Sequence, residues 1–189
     1  MSARRRCGGW LAVASVVAAL AGAPPASAAD GGPLTALVDA AAERLGTAEA
    51  VAANKWNTKG PIEDPARVAQ VLNAVATDAT ARGVDPARVR RIFTDQIGAT
   101  EAIEYTRFAQ WKLDPAAAPA TAPDLAASRS VIDGLNRAMV EQMAAHWPVL
   151  TSPDCPARVR EATDAVSAAR VLDPLYRQAL TFVTRGYCG

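Results

Sequence analysis

A chain of 189 residues, half of them hydrophobic, has room for one ordinary domain with a real core and too little for tandem domains. Its 20 basic and 19 acidic side chains balance to a formal charge of +1, which argues against a general nucleic-acid or membrane-surface role and confines any anion site to a local cluster. His146 is the single histidine, so nucleophilic hydrolysis by a histidine-paired group is poorly supported, and no zinc-type spacing is present.

Residues 1–29 read as a cleaved export signal. Arg4, Arg5 and Arg6 form a basic head, residues 10–22 an apolar core too short to span a bilayer, and Ala26, Ser27 and Ala28 a small-residue cleavage site. Cleavage removes three basic residues and no acidic one, and leaves residues 30–189 as a secreted or periplasmic domain. Cys7 leaves with the signal. The remaining pair, Cys155 and Cys188, is expected to form a disulfide in an oxidising compartment.

Helix is expected throughout, because alanine is abundant and apolar residues recur at three and four. Leu34, Val38, Ala41, Leu45, Ala48 and Ala52 trace one stripe of a long first helix that ends near Thr58, stopped by Gly60 and Pro61. Asp64-Pro65, Asp85-Pro86 and Asp173-Pro174 each read as a helix start: aspartate accepts from N–H groups the helix leaves unpaired, and proline lacks one. The second helix then spans 65–82, with Gly83 at its end, and the third spans 86–112. An Ala/Pro-rich connection follows over 114–123, and Asp124 caps a fourth helix reaching 147. A proline-containing turn over 148–156 carries Cys155, and two further helices run to 172 and from 174 to 187. The expected fold is all-α, a single-domain bundle of about six helices.

On these apolar helices a few cations stand out, since burying one without an anion is expensive. Arg44 and Lys55 lie eleven residues apart, about three turns, and so project from nearly the same side. Arg67 falls in the first turn of the second helix, Thr100 and Glu104 lie one turn apart on the third, and Arg129 opens the fourth. Spacing of this kind is weak evidence by itself, because most helical charges are solvated. Trp56, Trp111 and Trp147 read as core rather than as a ligand stack, and His146 as a structural or surface residue.

Residues 37–45 (LVDAAAERL), Lys55-Trp56, residues 61–64 (PIED), residues 95–105 (DQIGATEAIEY), residues 111–113 (WKL) and residues 123–125 (PDL) together resemble the exported subclass of the all-helical, type II chorismate mutases. The resemblance covers the mature chain, including a Cys155–Cys188 bridge. It implies conversion of chorismate to prephenate with no cofactor and no metal, in a homodimer whose chains each build their own site. It also implies roles. Arg44 and Arg129 hold the two carboxylates of chorismate, Lys55 reaches the ether oxygen and a carboxylate, and Glu104 faces that oxygen from the other side. Arg67, Asp64 and Thr100 complete the pocket. Val71 stands where some relatives place a polar side chain.

The chemistry suits such a set. Arginine's planar fork binds carboxylates bidentately and stays charged. The rearrangement breaks a carbon–oxygen bond as a carbon–carbon bond forms, so an enzyme helps by folding the substrate's side chain over its ring and by stabilising charge on the ether oxygen. Glu104 can assist only when protonated, which predicts a rate that falls as pH rises. The alternatives are an isochorismate pyruvate-lyase-like enzyme on the same fold and a non-enzymatic secreted helical binding protein.

Overall fold

The computed structural model describes residues 32–189, so the expected signal over 1–29 and Cys7 lie outside the described residues. Among the described residues the regular structure is entirely helical, with α1 Thr35–Gly46, α2 Ala48–Thr58, α3 Pro65–Ala81, α4 Pro86–Leu113, α5 Leu125–Ala145, the single turn α6 Trp147–Leu150, α7 Cys155–Ala169 and α8 Pro174–Thr184. The all-α expectation holds, with seven helices longer than one turn where about six were expected.

The additional helix comes from the first one. Instead of running unbroken to Thr58, it divides at Thr47, which stays right-handed (φ −66°, ψ −17°). The Thr47 N–H donates to the Arg44 carbonyl at 3.2 Å, one residue nearer than the α-helical ladder requires. Its hydroxyl donates to the same carbonyl at 2.7 Å. A threonine side chain competing for backbone acceptors in this way bends a helix. At the far end of α2 the left-handed residue is Lys59 (φ 58°), not the glycine after it.

The aspartate caps form as their local chemistry dictates. Asp64, Asp85, Asp124 and Asp173 accept from the N–H groups of Arg67, Ala87, Ala127 and Tyr176 at 2.7–3.0 Å. The turn expected over 148–156 is present but narrower, confined to 151–154, because Trp147–Leu150 closes one helical turn and Cys155 already opens α7.

Helix α1 is the central element. Its Leu37, Val38, Ala41 and Leu45, with Leu34 just before it, are wholly buried against α4, α5, α7 and α8, in a core with Phe93, Ile103, Met139, Met143, Leu180 and Tyr187. Alanines at 41, 42 and 48 keep the α1–α2 segment slim, so these neighbours approach closely. A second, smaller core forms where Ala52 and Ala53 of α2 meet Phe108 and Trp111 of α4 beside Trp56. Trp56 and Trp111 stack edge-on at 5.7 Å, and Trp147 packs on the main core, so all three tryptophans are packing residues as expected.

Cys155 at the start of α7 is bonded to Cys188 beyond α8, with the two Cα atoms 5.7 Å apart. The bridge closes a loop of 33 residues. Replacing both cysteines by serine is expected to reduce unfolding free energy by about 3 to 4 kcal/mol in the chain-entropy view. Urea unfolding with and without the bridge checks this figure through the extrapolated free energies, since the uncrosslinked chain unfolds to a more expanded state with a steeper slope.

Candidate functional site

The helices leave a cleft whose walls come from α1 to α5 and from the loop between α2 and α3. It encloses about 610 Å³ of empty space, part of it open solvent. Arg44, Lys55, Asp64, Arg67, Thr100, Glu104 and Arg129, all the site residues expected from sequence, line this one cleft. Glu101 lines it as well, one carboxylate that sequence reasoning did not place there, and the rest of the wall is apolar: Val51, Ile62, Val68, Val71, Ile97, Leu125 and Ile132. Val71 is buried and presents a methyl surface here.

Arg44 projects from the last turn of α1 and is only 4% exposed. Its Nε donates to Asn136 Oδ1 at 2.7 Å and its guanidinium to Thr100 Oγ1 at 3.2 Å. Thr100 can accept because its own hydroxyl proton goes to the Gln96 carbonyl at 2.8 Å. Burial, then repulsion from Arg67, lowers the Arg44 pKa to about 10, so the group remains cationic at neutral pH. The amide and hydroxyl that hold it are neutral.

Lys55, three turns along on α2, reaches the same cleft despite the bend at Thr47. Its Nζ donates to the Ile62 carbonyl at 2.5 Å and to Glu104 Oε2 at 2.9 Å. An ammonium has three protons, so one is left for a ligand. Glu104 is 3% exposed on α4. Burial raises its pKa to about 7, against the opposing hydrogen bond and charge of Lys55. Near neutrality it exists as both acid and carboxylate.

At the rim Asp64 joins three elements. One carboxylate oxygen caps α3 by accepting from the Arg67 N–H at 3.0 Å, and the other accepts from Arg129 of α5 at 2.6 Å. Arg67 itself donates to Asp133 Oδ1 at 2.6 Å and to Gln70 at 3.0 Å.

Sequence reasoning missed Asp133, Asn136 and the Ile62 carbonyl. Asp133 and Asn136 follow Arg129 at four and seven residues, so one face of α5 carries all three, and that stripe is the signal that could have found them. A backbone carbonyl that turns inward carries no such signal. His146 sits at the α5–α6 junction, apart from the residues that line the cleft.

The arrangement can do two things chemically. It can bind a small dianion through guanidinium groups, and it can place a cationic donor and a protonatable carboxyl, 2.9 Å apart, against one developing negative charge.

Comparison with known proteins gives one family. A profile of type II chorismate mutases matches residues 35–105. The chain is 55% identical to the secreted chorismate mutase of Mycolicibacterium smegmatis over 174 residues, covering 91% of this chain and 96% of that one. It is 52% identical to the secreted chorismate mutase of Mycobacterium tuberculosis over 166 residues, 87% of this chain and 83% of that one. Among solved structures, a chorismate mutase from Burkholderia phymatum superposes with a TM-score of 0.79 at 32% identity, over 85% of this chain and 99% of that one.

Proposed function

The chain belongs to the type II chorismate mutase family, and we propose that it is a secreted enzyme that rearranges chorismate to prephenate in the cleft between α1 and α5. The observation that carries this is Arg44, a buried guanidinium facing the cleft with only neutral partners. A desolvated cation without a carboxylate is a standing receptor for one.

In this reading Arg44 takes one substrate carboxylate and Arg129, at the rim, the other, with Arg67 adding to the field between them. The apolar wall, Val71 included, packs against the ring. Holding both carboxylates folds the enolpyruvyl side chain over the ring, so that the two carbons that bond stand close before the barrier is climbed. As the ether carbon–oxygen bond breaks, the oxygen gains negative charge, and the spare Lys55 proton stabilises it. Protonated Glu104 donates to the same oxygen, whereas ionised Glu104 repels it. No proton need be transferred and no covalent intermediate forms.

The pH dependence follows with a definite sign. Glu104 of the free enzyme has a pKa near 7, so kcat/KM should fall as pH rises through about that value. A bound dianion adds negative charge beside the carboxyl and pushes its pKa higher, so kcat should fall at a higher pH than kcat/KM does. Glu104→Gln, a permanently neutral donor, should abolish both descents. The check is a pair of pH profiles from 5 to 9 for wild type and variant, and identical profiles would remove Glu104 from this role.

One chain supplies all these side chains, which supports one site per chain, and pairing of two such chains in a homodimer is part of the same proposal. The cleavage of residues 1–29 and the boundary at residue 30 belong to the same proposal. Product analysis by NMR tests the reaction itself: prephenate as the single product of chorismate supports it. Pyruvate released from isochorismate, with chorismate untouched, would assign the lyase chemistry instead.

A further inference from the structure

With the cleft read as the chorismate site, its four cations are not equivalent. Lys55 is bonded to Glu104, Arg67 to Asp133 and Arg129 to Asp64. Arg44, the most deeply buried of the arginines, is the exception, held by the Asn136 amide and the Thr100 hydroxyl. Arginine carries only donors, so Asn136 must turn its carbonyl oxygen to Arg44 Nε and its NH2 group elsewhere. That Nδ2 lies 3.5 Å from Asp133 Oδ1, the atom that accepts from Arg67. Asn136 is itself 4% exposed and stands between the free cation and a neutralised one.

An aspartate would fit almost the same space and would hold Arg44 more strongly, since a full negative charge would replace a neutral amide dipole beside a desolvated cation. It would also neutralise Arg44. Resting on the reading of the cleft as the chorismate site, we propose that Asn136 is a positioning residue of the reaction: it aims the Arg44 guanidinium from behind while leaving its positive charge for the substrate carboxylate. The amide, rather than the carboxylate one turn earlier at Asp133, decides which arginine is the primary anion receptor. A neighbouring cavity lined by Arg67, Val71, Asp133 and Asn136 borders the residue, so a small change at 136, which does not itself line the cleft, has space beside it.

The test compares Asn136→Asp with Asn136→Ala by chorismate steady-state kinetics and thermal unfolding. The carboxylate contact is made in both ground and transition state, so its loss belongs in KM. Asn136→Asp is expected to raise KM by at least about tenfold, with kcat changed by less than about threefold. Asn136→Ala, which removes the anchor but adds no charge, is expected to raise KM less. A role in packing alone predicts the reverse order, because alanine leaves a hole and aspartate does not. An unchanged KM in Asn136→Asp, or a larger KM defect in Asn136→Ala, overturns the proposal. So does an Asn136→Asp chain that fails to fold, because the proposal requires Arg44 to hold the new carboxylate against its neighbour Asp133. Wild-type protein without chorismate turnover would instead overturn the assignment of the cleft, so the two failures are distinguishable.

Discussion

Replacing Lys55 by alanine is expected to lower kcat for chorismate by at least about a hundredfold, with little change in thermal stability. The lysine supplies the cationic donor to the oxygen on which charge develops, and loss of one preorganised donor of this kind typically costs about 3 to 4 kcal/mol of transition-state stabilisation. A second consequence separates this account from a general disturbance of the cleft. Both contributions that hold the Glu104 pKa down come from Lys55. Without the lysine, burial and the charge of neighbouring Glu101 act unopposed and the Glu104 pKa rises further. The residual activity of Lys55→Ala should therefore persist to higher pH than wild-type activity does, because its one remaining donor stays protonated. Stopped-flow or steady-state absorbance at several pH values reads both effects. A variant within threefold of wild type would contradict the role given to Lys55.

The other large effect is expected at Arg44. Arg44→Met keeps a long apolar stem against Phe93 and removes the charge, and it should reduce kcat/KM by about a thousandfold, mainly through KM. The estimate follows from about 2 to 5 kcal/mol for a buried charge pair left without one partner. Stability should stay level or rise, since burial and Arg67 both disfavour the charged guanidinium in the folded chain. That opposition of activity and stability is the mark of a binding cation and would not arise from a structural one. Arg44→Lys restores charge without the planar fork and should recover only part of the loss. Calorimetry of the three proteins and chorismate kinetics give the comparison, and a parallel fall in melting temperature and activity would contradict the assignment.

What was legible in the sequence is what local chemistry controls. An aspartate before a proline caps a helix wherever the chain goes, and Asp64, Asp85 and Asp173 do so. The division at Thr47 was not legible, because Thr47 interrupts neither the apolar stripe nor the right-handed backbone; it only diverts one hydrogen bond and adds another. Helix ends were displaced by a few residues for a similar reason: α8 stops at Thr184 although the sequence stays compatible with helix to Tyr187, where the disulfide and the buried ring fix the chain.

The site divides in the same way. That Arg44 and Lys55 face one side follows from the helical period, but nothing in that period brings α4 and α5 to them. The packing of α1 on α5 and α2 on α4 does so, and only resemblance to a known family anticipated it. Arg88 shows how little a cation on an apolar helix says alone. It is 7% exposed, yet it donates to the carbonyls of Leu150 and Tyr187 and lies over Trp147, a structural tie between α4 and the chain ends of α6 and α8. Both arginines are buried cations without a carboxylate. One spends its bonds on two backbone carbonyls and lies over a ring, with its Nε left unpartnered, and the other faces an open cleft.

The most direct measurement is a crystal structure of the protein with a stable bicyclic ether dicarboxylate that mimics the rearranging skeleton. One carboxylate is expected on Arg44, the other on Arg129, and the ether oxygen within hydrogen-bond distance of both Lys55 Nζ and the Glu104 carboxyl. An analogue bound with its ether oxygen turned away from Lys55, or seated outside this cleft, would contradict it.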